Sequence, residues 1–241
     1  MTKESSGMLE DVQREFTEEE LQVLAAQLRK PDGDIGVQVG ERMNTGNAAM
    51  NLHTLAVLAP QAGDNILEIG MGTGHFVKNI LLMDGSIRYT GCDYSELMVK
   101  TATEKNQHFV QQERASFVHG NARELPFNAE TFSKVFTVNT LYFWDDHDAV
   151  LQQLKKVLRP DGVLILSIRP KENMDTFPVT KYNFASFAQE DVEALLQAHG
   201  FAHVKTTHIK EPPEPLMGKM IQKETLIVAA WLQDPNSTIQ S

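Results

Sequence analysis

The sequence predicts an α/β fold, a largely parallel sheet with helices on both faces, preceded by a helical extension. Three observations predict it. From about residue 60, short apolar runs alternate with segments of helical periodicity. Several runs, VLILSI (163–168) above all, are apolar at successive rather than alternate positions, as strands covered on both faces are. The last two runs, FAHVKTTHI (201–209) and TLIVAAW (225–231), are joined by a segment carrying Pro212, Pro213 and Pro215. It leaves poor room for the crossover helix that a parallel pair needs, so the final strand is expected to return antiparallel.

Each element has its own signal. Residues 1 to about 16 are polar and are expected to fray. Thr17 and Glu20 have the spacing of a capping box, and Leu21, Leu24, Ala25 and Leu28 share one face of the helix that follows. KPDGDIG (30–36) interrupts it. A second helix is predicted from about Asn47 to Ala59, stopped by Pro60 and Gly63. NILEIG (65–70), SIRYTGCD (86–93), SFVHG (116–120), FSKVFTVN (132–139) and VLILSI read as strands. Helices are expected over Thr73–Met83, Ser95 to about Gln112, Asp148–Leu158 and about 190–199, with Gly200 as a left-handed cap. Arg159-Pro160-Asp161-Gly162 reads as a turn.

The 241 residues suit one substantial domain with an extension, divided here into a helical cap (1–59) and a ligand-binding unit (60–241). A net charge of −10 opposes non-specific binding to nucleic acid or anionic membranes. The sole cysteine, Cys92, permits no internal disulfide, and its strand position suits a buried core residue rather than a nucleophile. The histidines show no HExxH spacing, so no metal is expected. No stretch has the length of a membrane span and the first residues lack the apolar run of a signal peptide; the expectation is a cytoplasmic protein without membrane insertion.

The most informative stretch is NILEIGMGTGHF (65–76). Gly70, Gly72 and Gly74 follow a strand and open a helix, where a tight turn lets a ligand approach main-chain N–H groups. The dinucleotide pattern G-x-G-x-x-G would need its third glycine at His75, where a side chain hinders close helix-to-strand packing. Glu68 points to the same face as Gly70. A carboxylate there repels a pyrophosphate but favours a ligand bearing an ammonium and a sulfonium, as S-adenosylmethionine does. Asp93, closing the second strand, should emerge at the same sheet edge and can accept hydrogen bonds from ribose hydroxyls.

With these residues the chain resembles the class I S-adenosylmethionine-dependent methyltransferases over about residues 60–231. The pattern E-x-G-x-G-x-G at 68–74 is the most specific part. Within that family it is similar to bacterial small-molecule methyltransferases, quinone-biosynthesis enzymes among them. The resemblance implies a Rossmann-like doubly wound seven-stranded sheet of order 3-2-1-4-5-7-6 with strand 7 antiparallel. It also implies S-adenosyl-L-methionine as cofactor, lying along Glu68, Gly70, Met71, Gly72 and Gly74. Asp93 would hold the ribose, and Tyr94 and Met98 would border the adenosine. Asn121 and Ala122 stand where the family often has Asp-Ala at the adenine amino group, and an Asn oxygen can still accept that bond. Asn139, Thr140 and Leu141 would lie beside the methionine part.

The expected function is methyl transfer to a small-molecule acceptor. Candidate acceptor contacts are Asn44 in MNTGNAAMNLH (43–53), Tyr142, Trp144 and His147 in LYFWDDH (141–147), and Tyr182. The insertion 169–184, with Phe177, Tyr182 and Phe184, is a candidate apolar lid. His147, Tyr142, His53 and Tyr182 are candidates for moving an acceptor proton, and no catalytic residue is assigned. Two other readings share these features: an NAD-dependent oxidoreductase, and a non-catalytic protein that binds S-adenosylmethionine.

Overall fold

The structure is a computed structural model describing residues 16–216 and 219–234. The polar run expected to fray lies, up to residue 15, outside the described residues. The predicted strands are β1 (Asn65–Ile69), β2 (Arg88–Asp93), β3 (Ala115–His119), β4 (Phe132–Val138), β5 (Leu158–Ile168), β6 (His203–Lys210) and β7 (Glu224–Trp231). They form one sheet of order β3-β2-β1-β4-β5-β7-β6. The first five pair parallel, and β7 runs antiparallel to both β5 and β6. β5 starts earlier than expected. Its pairing with β4 jumps from Phe132–Leu158 to Lys134–Val163, so Arg159–Gly162 swell out as a bulge instead of forming a separate turn. The proline-bearing link contains an unpredicted two-stranded hairpin, Glu214–Leu216 with Lys219–Ile221. Pro215 is compatible with it because both strands of an isolated pair are edges.

The helices are α1 (Glu18–Arg29), α2 (Gly33–Gly46), α3 (Ala48–Leu58), α4 (Val77–Leu81), α5 (Glu96–Lys105), α6 (Gln107–Gln111), α7 (His147–Val157), α8 (Lys171–Met174) and α9 (Gln189–Ala198). α1 opens with the predicted capping box: Thr17 Oγ1 accepts from the Glu20 amide, and Glu20 Oε2 accepts from the Thr17 amide. α2 was not predicted, because its glycines read as breakers. They are packing sites instead. A Cβ at Gly36 would come within 2.8 Å of the Pro31 carbonyl carbon, and one at Gly40 within 3.0 Å of Thr73 Cγ2. The helix expected over 73–83 shortens to α4, since the glycine turn occupies the chain before Val77. The long helix expected from Ser95 breaks at Asn106, whose buried amide donates to the Ala102 and Gly74 carbonyls.

Strand residues alternate between two apolar layers. On one face Leu67, Val135, Leu164 and Leu166 pack with Val150, Leu151 and Leu154 of α7 and Val192 and Leu196 of α9. On the other, Ile66, Phe136, Ile165 and Ile227 pack with Leu58 of α3, Ile80 of α4 and Ala102 of α5. Both faces are thus covered, which explains strands without polar alternation. α1 contacts α2 and the turn Pro178–Lys181, and α2 contacts α5, so these N-terminal helices reach across the carboxyl edge of the sheet.

Candidate active site

After β1 the chain turns through Gly70, Gly72 and Gly74, all with positive φ (+73°, +55° and +66°). Their neighbours differ. A Cβ at Gly70 would overlap Thr140 Cγ2, and one at Gly74 would sit 2.9 Å from Ala102 Cβ. At Gly72 a Cβ would meet nothing. Gly70 and Gly74 are therefore pinned by packing, while Gly72 faces open space on a cavity of about 240 Å³. Glu68, Gly70, Met71 and Gly72 line this cavity.

Two buried carboxyls stand at its floor. The Tyr89 hydroxyl donates to Glu68 Oε2 at 2.5 Å. Burial pushes the Glu68 carboxyl up to about 7 against that hydrogen bond, and nearby Asp93 adds to the rise. Asp93 accepts from the Gly72 amide on Oδ2 (3.0 Å) and from the Ser95 amide on Oδ1 (2.9 Å). Burial raises it to about 6, a rise these backbone donors partly oppose. Each Asp93 oxygen keeps a second lone pair for a ligand hydroxyl. Cys92 also lines the cavity, and burial raises its thiol to about 12, which suits a core residue and no nucleophile.

Tyr94, Met98, Asn121, Ala122, Asn139 and Thr140, also predicted, line the same cavity. Tyr94 is half-exposed, with the Lys30 ammonium 4.7 Å from its ring centre. Asn121 Oδ1 accepts from the Arg123 amide at 3.0 Å in a local turn, and an amide oxygen has a second lone pair beyond that bond. Asn139 has φ +57°, and its Oδ1 accepts from the Tyr142 hydroxyl. Gly74 and Leu141 do not line the cavity: Gly74 packs on α5 and Leu141 is fully buried in the core.

A second, mostly apolar cavity of about 270 Å³ adjoins the first. Leu28, Met43, Asn47, Asn139 and Phe143 line both. The acceptor candidates divide between them. Asn44 and Trp144 line the first, with Asn44 Oδ1 accepting from the Thr73 hydroxyl at 2.8 Å; Tyr142 lines the second. His147 and Tyr182 line neither, and the His147 ring bonds the Leu141 carbonyl instead. His53 lines neither as well. Of the insertion, Phe177, Val179, Thr180 and Phe184 wall the second cavity. Met43, Asn47 and Asn51 of the segment 43–53 also line the first cavity, while sequence reasoning missed Thr73, Phe76, Arg29 and Gly40. Arg29 pairs with Asp145 at 2.5 Å, joining the end of α1 to the segment after β4. No local motif marks Gly40, since it lies on a helix the glycines concealed.

Comparison with known proteins agrees with this geometry. A methyltransferase domain family matches residues 67–166. The chain is 29% identical over 175 residues to the methyltransferase YdaC of Bacillus subtilis, covering 73% of this chain and 92% of that one. It is 27% identical over 193 residues to the O-methyltransferase resE of Aspergillus sclerotiorum, covering 77% and 72%. A solved S-adenosylmethionine-dependent methyltransferase from Thermotoga maritima shares the fold, with a TM-score of 0.62 and 22% identity over 82% of this chain and 96% of that one. The sheet order and its flanking helices give the Rossmann-like methyltransferase fold. The chain carries a methyltransferase domain and is an S-adenosylmethionine-dependent methyltransferase.

Proposed function

We propose that the first cavity holds S-adenosylmethionine and that methyl transfer to a small-molecule acceptor takes place where the two cavities meet. The observation that carries this is the pairing of buried Glu68 and Asp93 with the open Gly72 main chain at one cavity. Glu68 supplies negative charge for a cationic ligand, Asp93 accepts from the ribose, Tyr94 and Met98 flank the adenosine, and Asn121 and Ala122 meet the adenine edge. Asn139 and Thr140 bound the methionine part. When bound, the cofactor supplies a methyl group already activated on a sulfonium leaving group. The chain then has to align the acceptor atom with that methyl and exclude water, and such positioning contributes about 7–11 kcal/mol in favourable cases. The name of the Aspergillus relative favours oxygen as the accepting atom.

The helical segment before residue 60 acts in this reading as the cap of the unit 60–241. Its α1 and α2 supply Leu28, Arg29, Met43 and Asn44, while Asn47 and Asn51 follow from the start of α3. A net charge of −10 supports a small molecule over nucleic acid as acceptor, and the single cysteine supports a reducing, cytoplasmic setting. Among the described residues no helix is long and apolar enough to cross a membrane.

Isothermal titration with S-adenosylmethionine, S-adenosylhomocysteine and NAD, with transfer of a labelled methyl group to a panel of hydroxylated acceptors, tests the assignment. Preference for NAD removes it, and tight cofactor binding without transfer to any acceptor leaves only a binding protein. Asp93→Ala should weaken S-adenosylhomocysteine binding by about 1–3 kcal/mol through lost charged hydrogen bonds. Because Asp93 also holds the Gly72 and Ser95 amides, thermal stability should fall with it. Unchanged affinity would remove the ribose role.

A further inference from the structure

The geometry points to Asn47 and Asn139 as the residues that hold the reacting hydroxyl of an otherwise apolar acceptor where the two cavities meet. This rests on the methyltransferase reading above and concerns the acceptor side of the same site. Of the residues that line both cavities, Leu28, Met43 and Phe143 are apolar, and Asn47 and Asn139 carry the hydrogen-bonding side chains. Asn47 directly precedes α3, where an asparagine side chain commonly caps the helix. Here it makes no capping bond, because its backbone, at φ −114° and ψ 13°, is not the extended one that capping uses. Among the described residues no hydrogen bond engages that side chain.

Asn139 is half engaged. The Tyr142 hydroxyl accepts from the Arg169 amide and gives its one proton to Asn139 Oδ1 at 3.1 Å, nearer than the Arg169 carbonyl at 3.3 Å. The amide is thereby oriented, and no described residue accepts from its Nδ2. Asn44, by contrast, is used at both ends, accepting from Thr73 and donating to Glu41. A hydroxyl offers one proton and two lone pairs. Asn139 Nδ2 can only donate and takes one lone pair, while Asn47 Oδ1 can accept the proton. The other lone pair forms the O–C bond as the C–S pair withdraws onto sulfur, and the proton is released to solvent. Other polar groups of the second cavity are committed or outside. Arg169 pairs with Glu211, Lys223 donates to the Gly46 carbonyl, Thr180 donates to the Phe177 carbonyl, and Arg42 is exposed. The rest of the lining, Leu24, Val39 and Phe177 among it, suits an apolar body oriented by a few placed polar groups.

Equilibrium dialysis at pH 7 in saturating S-adenosylhomocysteine tests this with 2-naphthol, its methyl ether and 2-methylnaphthalene. The first can donate and accept, the ether can only accept, and the hydrocarbon does neither. Wild-type protein should bind 2-naphthol at least as tightly as 2-methylnaphthalene, although the hydrocarbon leaves water more readily. Asn47→Leu should weaken 2-naphthol by about threefold or more relative to 2-methylnaphthalene and leave the ether within about twofold on that scale. Asn139→Asp keeps Oδ1 and suits the φ of +57° but lacks the donor, so it should weaken the ether by about threefold or more on the same scale. If that variant does not bind S-adenosylhomocysteine, Asn139→Gly, equally suited to the backbone, is read in its place. A general loss of packing would move all three probes together. Ratios unmoved in either variant, a wild-type preference for the hydrocarbon, or no binding of any probe overturns the inference while leaving the methyltransferase assignment intact. Failure of the wild-type protein to bind S-adenosylhomocysteine overturns the assignment and the inference together.

Discussion

Gly70→Ala should abolish methyl transfer and destabilise the protein by about 2–4 kcal/mol, the largest effect expected of any single methyl group added to this chain. Two independent costs combine. The backbone at Gly70 has φ +73°, where an L side chain is strained, and the new Cβ would overlap Thr140 Cγ2. Neither neighbour can easily yield. The Gly70 amide is tied to the Cys92 carbonyl at 2.8 Å, and Thr140 Oγ1 bonds Thr137 Oγ1 at 2.5 Å. For a chain of this size the loss corresponds to a melting temperature lower by about 4–16 °C. Thr140→Ser in the same protein removes the clashing methyl and keeps the hydroxyl, so the double variant should regain the overlap part of the loss and retain the strain. Thermal denaturation of the single and double variants separates the two terms. A Gly70→Ala protein within about 0.5 kcal/mol of wild type would show that the turn is not held as described.

Glu68→Gln should stabilise the free protein at pH 8 and weaken its hold on S-adenosylmethionine. Burial raises Glu68 from 4.5 to about 7, so the folded state holds that proton more tightly than the unfolded chain does. The stability this provides is fully present below the unfolded value of 4.5 and is lost as pH rises through about 7. At pH 8 the ionised group costs the free fold about 3 kcal/mol, which a neutral glutamine removes while its oxygen still accepts from Tyr89. Cofactor binding has the opposite sign. A cationic ligand needs the carboxylate, so wild-type affinity should be highest above about pH 7 and fall by up to about tenfold per pH unit below it, with Asp93 at about 6 deepening the fall. In Glu68→Gln affinity should drop by about 1–3 kcal/mol at pH 8, and the part of the pH dependence near 7 should vanish. Thermal shifts of the free protein and titration calorimetry from pH 5.5 to 8.5 measure both halves. A variant less stable than wild type at pH 8 with unaltered affinity would contradict the role given to this carboxyl.

The sheet was legible in the sequence because its strands are apolar on both faces and are separated by helix-length segments. β1, β4 and β5 announce themselves in Ile66-Leu67, Val135-Phe136 and Leu164-Ile165-Leu166. The antiparallel return of β7 followed from prolines that leave no crossover helix. The glycine turn and the acid beside it at the first cavity were legible too, because a positive-φ turn demands glycine and an acid two residues earlier shares its face. Gly74 and Leu141 stand apart from the cavity lining, Gly74 packed on α5 and Leu141 buried in the core. The roof was hidden. Gly33 and Gly36 look like helix breakers in the sequence, yet Gly36, like Gly40, lies where Pro31, Thr73 and Met98 crowd α2. His147 and Tyr182 lie near the site in sequence but outside both linings, since side-chain direction in irregular chain has no period to reveal it.

The shared roof has a thermodynamic consequence. Leu28, Met43 and Asn47 touch both compartments, and the Arg29–Asp145 pair ties their helices to the far rim. On the proposed assignment, an occupant that orders this roof from one chamber lowers the ordering entropy left for the occupant of the other. Such linkage is reciprocal: the factor by which the nucleoside tightens the acceptor equals the factor by which the acceptor tightens the nucleoside.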